Sequence, residues 1–402
     1  MNLQKYSPIL SIVIPTKNRW EYAIKSIKSC LRIENNNYEL IVEDNSTDNN
    51  LEIEVKRIND PRLRYYHNAA HEDMNTNFEN AVQKARGKYV TVIGDDDAVS
   101  NAIVEAANFC NVNNIDVMVT SRPSSYYWPG FISKKLGSLM SGKLIIKKYT
   151  SKVEYLDPLL KLKKCLKSGM SDYYGLPKLY YGIVKHSVLS LLKESAGCYF
   201  PGPSPDMANA IALCFFVKKY CSIDYPLFIP GACEKSGTGL GAQNKHTGKL
   251  ENWPHLSKKY LINWSSQVPR IFSGCALWAE DAIQALKILG KEEYIEYLNL
   301  AYVYAHCFIK HKYYINELMP IIKNSKTNLK AKIIFELMKY NYQRCLSLLN
   351  NLFTFKFHLF SSALVFSNIN DIYEASILHD KYVSKLDLER KYNSLGRLKK
   401  KD

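Results

Sequence analysis

Tyr89-Val-Thr-Val-Ile-Gly-Asp-Asp-Asp97 is an apolar, β-branched run that stops at a glycine and then delivers three consecutive carboxylates. The run reads as a buried strand, and the acids fall where the chain leaves it. Strand ends are where open α/β sheets place their ligands. At about 4 Å each like-charge pair costs roughly 4 kcal/mol at an effective dielectric near 20, so a cation is the natural partner of the triplet. A solvated acidic turn is the bland alternative, but a chain of net charge +16 has no need of acids for solubility.

Upstream of this stretch, strand and helix patterns alternate. Leu10–Pro15 is a short buried strand closed by Thr16-Lys-Asn-Arg19, and Trp20, Ala23, Ile24, Ile27 and Leu31 follow at helical spacing. Tyr38–Val42 is a second strand that runs into Glu43-Asp-Asn-Ser-Thr-Asp48, and a helix follows near 49–58. Leu63–His67 is a third strand, with a helix from about Asn75 to Ala85 before the fourth at 89–93. A helix near 100–111 and a strand at Val117–Thr120 complete five alternations, which predict a mostly parallel, doubly wound sheet.

Residues 121–178 read as an irregular basic insertion, in which 131–168 hold ten lysines against Glu154 and Asp157. Order returns with a strand at Tyr180–Val184, a helix near 186–194, a helix after Pro205 and a strand over Cys221–Pro230. The glycine-rich run 231–248 reads as a mobile loop. From about His255 the pattern is helical almost throughout, so the expected division is an α/β domain over 1–254 and an α-helical domain over 255–402.

With 402 residues, 47% hydrophobic and 23% charged, the chain is globular. Ten scattered cysteines form no C-x-x-C pair, which suits free thiols rather than a disulfide frame or a zinc site. No apolar stretch reaches the roughly 18 residues of a membrane span, and the strand pattern near Ile9 leaves no room for a secretory signal, so a cytoplasmic location is expected. The insertion and the tail from Lys381, with eight Lys/Arg, suit anionic partners. Nucleic acid is the weaker choice, because no RNA-binding or zinc-finger pattern accompanies the charge.

Five stretches together resemble the GT-A fold glycosyltransferases of family 2, nucleotide-sugar-dependent enzymes that build bacterial capsules, lipopolysaccharides and related glycans. They are Ser11–Arg19, Val42–Asp48, Asn77-Phe-Glu-Asn-Ala81 with Ala85-Arg-Gly87, Tyr89–Asp97, and Ser204-Pro-Asp206. The resemblance implies a GT-A, Rossmann-like nucleotide-sugar-binding domain and an inverting, metal-dependent transfer of sugar from a UDP-sugar to a glycan hydroxyl. A lipid-linked acceptor would place the protein at the inner face of the cytoplasmic membrane.

The residues have their own chemical rationale for these roles. Asp44 or Glu43 can accept from a base imide or ribose hydroxyls, flanked by Pro15, Thr16, Asn18 and Arg19, while Asn77 belongs to the third family stretch. Mg²⁺ or Mn²⁺ takes oxygen ligands, usually one or two carboxylates plus substrate phosphates. By the resemblance Asp96 is the direct ligand, Asp95 meets ribose or the outer shell, and Asp97 binds metal or orients its neighbours. Gly94 departs from the pattern, standing where many relatives place the first acid of D-x-D.

A base is also required, and Asp206 after the proline-rich turn is the candidate, against the simpler role of a first-turn acid facing the helix dipole. Asp172 and Glu234 are weaker alternatives. Lys235 and Ser236 in the glycine-rich run could reach a phosphate. His246 and His255 suit packing better than metal binding, and Tyr126, Tyr127 and Trp128 could stack on an acceptor sugar. A nucleotidyltransferase would show glycines in Pro15–Arg19, where there are none; a non-catalytic nucleotide-sugar-binding scaffold is the other rival.

Overall fold

Every residue of the first strand, β1 (Leu10–Thr16), is buried, because helices cover both faces of the sheet in which it lies. The computed structural model describes residues 7–70, 72–253, 255–323, 327–354 and 363–398. The expected location of the basic run Lys399–Lys401 therefore falls outside the described residues. Along β1, Ile12 and Ile14 pack with Ala23, Ile24 and Ile27 of the helix Trp20–Leu31. Val13 points the other way, into a core shared with Val188, Leu189, Leu192 and Leu213.

The remaining strands are β2 (Tyr38–Asp44), β3 (Leu63–His67), β4 (Tyr89–Val92), β5 (Val117–Thr120), β6 (Val153–Leu156), β7 (Gly182–Lys185) and β8 (Tyr220–Ile223). Their order across the sheet is β3-β2-β1-β4-β7-β5-β8-β6. The pairs β1–β2, β2–β3, β1–β4 and β5–β8 are parallel, as the alternating pattern predicts. Strand β7 runs antiparallel between β4 and β5, and β6 is antiparallel at the edge.

Three expectations change. The region 121–178 is not irregular: it supplies β6, the strands Ser125–Tyr127 and Lys143–Lys147, and the helix Pro158–Lys167, capped by Asp157. Lysines at both ends of Lys143–Lys147 mask its period-2 pattern, in which Leu144 and Ile146 are buried. The glycine-rich run contains the helix Gly237–Ala242, whose N-cap Ser236 accepts from Gly239 N. The C-terminal region is not wholly helical: Ala363–Phe366 pairs antiparallel with Lys143–Lys147, in a second sheet with Ser125–Tyr127 and Gly231–Ala232.

The hydrophobic core also crosses the boundary drawn at 254/255. Leu162, Ile211 and Leu250 share one cluster with Phe272, Ile283, Leu286 and Val303. The helix Ile372–Leu398 returns to the sheet: buried Asp380 accepts from Arg32 (2.6 and 2.7 Å), Ser100 Oγ (3.0 Å) and Asn101 N (3.1 Å). Among the described residues the cysteines are free, and no helix is long and apolar enough to cross a membrane.

Burial works against the Asp380 charge, but His379 and Arg32 outweigh it and hold the carboxyl below its ordinary value. A depressed carboxyl contributes stability above its unfolded pKa, near 3.9, and loses it as pH falls through the lower folded value. Asp380→Asn should therefore lower stability to urea at pH 7 by about 3 kcal/mol, the scale of breaking a buried pair. The gap from wild type should shrink below pH 4; an equal gap at pH 7 and pH 3 would exclude the ion pair as its source.

Candidate active site

The three acids leave β4 in a tight loop, and each is buried. Arg19, at the end of β1, spans two of them: Nη1 lies 3.0 Å from Asp95 Oδ1 and Nη2 3.1 Å from Asp96 Oδ2. Burial opposes the guanidinium's charge, but Asp95 and Asp96 outweigh it and hold the pKa above its ordinary value. Asp95 also accepts from Thr16 Oγ1 at 2.7 Å. Burial pushes its carboxyl up to about 6, with Arg19 opposing and Asp96 adding.

Asp97 turns inward. Its oxygens accept from Gly94 N (2.6 Å), Gly231 N (2.7 Å) and Tyr181 Oη (2.7 Å), while burial and Asp96 push it up to about 7. These bonds tie the Asp97 side chain to its own loop, to Gly231 and to Tyr181. Gly94 is explained by the same packing: a Cβ there would stand 2.6 Å from Tyr180 Oη and 2.8 Å from Asp97 Oδ2. An acid cannot occupy that position without moving both.

At the β2 end the structure commits the expected donor carboxylates to the protein itself. Asp44 is fully buried and accepts from Ser46 N (2.9 Å) and Tyr65 Oη (2.8 Å). Glu43 bonds Lys84, and burial raises its pKa. Pro15 lies within β1, and Asn18, at φ 55°, receives Thr47 N at 2.9 Å and donates its own N–H to Ser46 Oγ at 2.7 Å.

Three asparagines near these strand ends leave a side-chain group unsatisfied. The amide nitrogens of Asn45, Asn75 and Asn77 donate to Glu72 O (2.8 Å), Gly202 O (2.6 Å) and Thr16 O (3.2 Å). Their buried Oδ1 atoms have no partner, and neither does Arg19 Nε. Such groups in a native interior call for a ligand or water. Asn75 and Asn77 also tie the helix Met74–Gln83 to the Asp206 turn and to β1 at once.

Asp206 is exposed in the first turn of the helix Pro205–Leu213, with Oδ1 receiving Met207 N at 2.8 Å. Half-buried Lys178 faces it; burial draws the ammonium pKa down and Asp206 opposes that. Lys178 Nζ lies 6.0 Å from the Tyr181 ring centroid.

The other candidates land elsewhere. Ser236 is spent as a helix cap, and Lys235 is exposed. Trp128 Nε1 donates to Asp96 O at 3.0 Å, and Tyr126 is buried against Ile369 O, so both are core rather than an acceptor platform. His246 and His255 pack edge-on against Trp253 and Phe272. Asp172 pairs with Lys164 at 2.9 Å, and Glu234 is exposed. Reading the sequence alone misses Lys178, Tyr180, Tyr181 and Asn75 beside the predicted residues; of these only the Tyr180-Tyr181 pair follows a recognisable signal, a strand beginning beside the acid loop.

Among the described residues no group of three or more His, Cys, Asp or Glu side chains is placed to hold a metal ion. The Arg19 and Cys233 N bonds to Asp96 use Oδ2, leaving Oδ1 for a ligand. That donor set fits Mg²⁺ or Mn²⁺ only where substrate phosphates complete the shell.

The sheet order defines the class: a GT-A domain with its acidic loop at the carboxyl end of the fourth strand. Residues 11–160 match the model of Glycosyl transferase family 2, and the chain carries a family 2 glycosyltransferase domain. It is 39% identical over 95 residues to WcaA of Escherichia coli, provisionally named a colanic acid biosynthesis glycosyl transferase; the match covers 23% of this chain and 34% of that protein. It is 32% identical to the GalNAc(5)-diNAcBac-PP-undecaprenol beta-1,3-glucosyltransferase of Campylobacter jejuni, over 22% of this chain and 30% of that one. The chain thus spans about a third of the length of these curated relatives. Staphylococcus aureus TarS 1-349 in complex with UDP-GlcNAc has a similar fold, with a TM-score of 0.50, 16% identity and coverage of 83% of this chain and 91% of that one.

The packing at Gly94 yields a test. Gly94→Ala should cost about 1–3 kcal/mol in urea unfolding, the range for overpacking. A wild-type midpoint would show that the loop has slack at Tyr180 and Asp97.

Proposed function

We propose that the chain is an inverting glycosyltransferase that moves a sugar from a UDP-sugar to a hydroxyl of a bacterial surface glycan. The observation that carries this reading is that one helix, Met74–Gln83, bonds the Asp206 turn through Asn75 and, through Asn77, the end of β1 whose Thr16 bonds Asp95, while both asparagines keep an unpaired oxygen. The names of the matched relatives, and the UDP-GlcNAc held by TarS, support a nucleotide-sugar donor and a glycan acceptor.

The unpaired oxygens of Asn45 and Asn77 accept from donor hydroxyls or the base imide, the acceptors' complement to a ligand rich in O–H and N–H groups. Arg19 holds Asp95 and Asp96 in place beside the diphosphate. Asp206 takes the acceptor hydroxyl's proton as its oxygen bonds the anomeric carbon; the bond from that carbon to the diphosphate oxygen breaks, and the nucleoside diphosphate leaves. Mn²⁺ or Mg²⁺, held by Asp96 with Asp95 nearby, would supply Lewis-acid neutralisation of that leaving group. The exposed lysines of 131–168, among them Lys134, Lys135, Lys147, Lys148 and Lys152, face anionic partners such as a lipid-diphosphate carrier or the inner membrane surface.

A thermal-shift panel of UDP, UDP-sugars and other nucleotide sugars, with and without Mn²⁺, reads the donor directly, since a ligand at 100 times its Kd stabilises by about 2.7 kcal/mol. UDP-sugars should raise the midpoint most. Asp206→Asn should keep that shift and lose turnover by about 10²–10⁴-fold, the scale of a general base. Turnover unchanged by the substitution would remove Asp206 from the mechanism, and a panel without any shift would favour a rival function.

A further inference from the structure

The turn that presents Asp206 is held from one side by Asn75, whose amide donates to Gly202 O. In Pro201-Gly-Pro-Ser-Pro-Asp206 three of six residues lack an N–H, so only the amides of Gly202, Ser204 and Asp206 can donate from its backbone. Gly202 N goes back to Phe200 O at 2.9 Å. Ser204 N instead donates at 2.8 Å to Asp281, on the helix Gly274–Ile288, and Ser204 Oγ bonds the same carboxyl.

Two details show that this contact is built in. Ser204 is the N-cap residue of the Asp206 helix, the position where a serine oxygen ordinarily accepts from the first turn, yet it makes no cap bond there. Its hydroxyl is turned to Asp281. Gly202 leaves room for the carboxyl, since a Cβ at that position would stand 2.8 Å from Asp281 Oδ1 and 2.8 Å from Ala208 Cβ.

Asp281 itself is fully buried. Burial raises its carboxyl well above the ordinary range, the Ser204 bonds oppose, and Asp206 and Glu280 add to the rise. A neutral isostere that keeps both bonding atoms therefore suits the position.

We propose that Asp281 is a positioning residue for the Asp206 base, so that the helical segment beyond residue 255 completes the active site by fixing the turn from which Asp206 acts. This rests on the reading of Asp206 given above, and it assigns the helical segment a part in the transfer reaction that its composition does not reveal.

The test compares Asp281→Asn, Asp281→Ala and Ser204→Ala in the full chain. Two readouts are used: amide exchange of peptides covering residues 200–207 and 89–97, and steady-state turnover of the UDP-sugar that shifts the melting temperature most. Asp281→Asn should keep kcat within about threefold of wild type, because Asn can still bond both Ser204 groups. Asp281→Ala should lower kcat by about 30- to 100-fold with the donor KM within about twofold, the signature of a misplaced reacting group rather than a lost binding contact. Exchange over 200–207 should rise about tenfold while 89–97 stays unchanged.

Ser204→Ala should lower kcat several-fold and add nothing to Asp281→Ala, since the hydroxyl bond it removes is one of the two that Asp281→Ala already removes. Wild-type exchange over 200–207 in Asp281→Ala, or kcat within about threefold, overturns the proposal. Should Asp281→Ala fail to fold, Ser204→Ala carries the test on the same two readouts, and wild-type values in it overturn the proposal. Wild-type turnover in Asp206→Asn would remove the base reading instead, and the exchange readout would still decide whether Asp281 holds the turn.

Discussion

Three neighbouring carboxylates in a buried loop are tenable only because Arg19 and a set of backbone and phenolic donors divide them. Arg19 takes Asp95 and Asp96 together, while Asp97 is handed to Gly94 N, Gly231 N and Tyr181. The division sets the loop's shape, since each carboxylate must point to its own partners and none can rotate without leaving a buried charge unpaired. Arg19 Nη2 also reaches Cys233 Sγ at 3.1 Å, so the end of β1, the acidic loop and the segment after Gly231 are held from one side chain. A loop held in this way is organised by the protein's own groups before any ligand arrives.

Placing β7 antiparallel in an otherwise parallel centre is part of the same solution. A strand running against its neighbours begins where they end, so its first residues stand at the carboxyl edge of the sheet. Tyr180 bridges Val92, and Tyr180 and Tyr181 deliver their hydroxyls to Asp97. The Tyr180 hydroxyl and the Asp97 carboxylate it bonds fill the space a side chain at position 94 would need. The glycine where an acid would begin a D-x-D pattern is therefore a packing consequence of Tyr180 and Asp97.

The parallel sheet was legible because strands buried on both faces are continuous apolar runs, and β1 to β5 all fall within a few residues of their expected bounds. The acidic loop was legible for the same reason: a charge run directly after such a strand has few structural excuses. What stayed hidden depends on partners far along the chain. Little local marks Lys143–Lys147 as a strand: its terminal lysines hide the alternation, and one of its two pairing strands lies far along the chain at Ala363–Phe366. Asp44 looks like a free ligand until Tyr65 is seen to donate to it. Asn75 and Asn45 resemble capping or surface asparagines, and only the packed helix shows that their amide oxygens are left open.

Composition separates the sheet from the helices that follow, but hydrogen bonding joins them. A buried carboxylate costs several kcal/mol unless donors meet it. For Asp281 those donors are Ser204 N and Oγ, and for Asp380, beside its neighbour His379, they are Arg32, Ser100 and Asn101 from the α/β domain. In a helical region by itself both acids would lose these donors, and the Asp206 turn and the stretch after the acidic loop would each lose an anchor. The helices beyond residue 255 are thereby fastened to the α/β domain at two points, one beside the Asp206 turn and one just after the acidic loop.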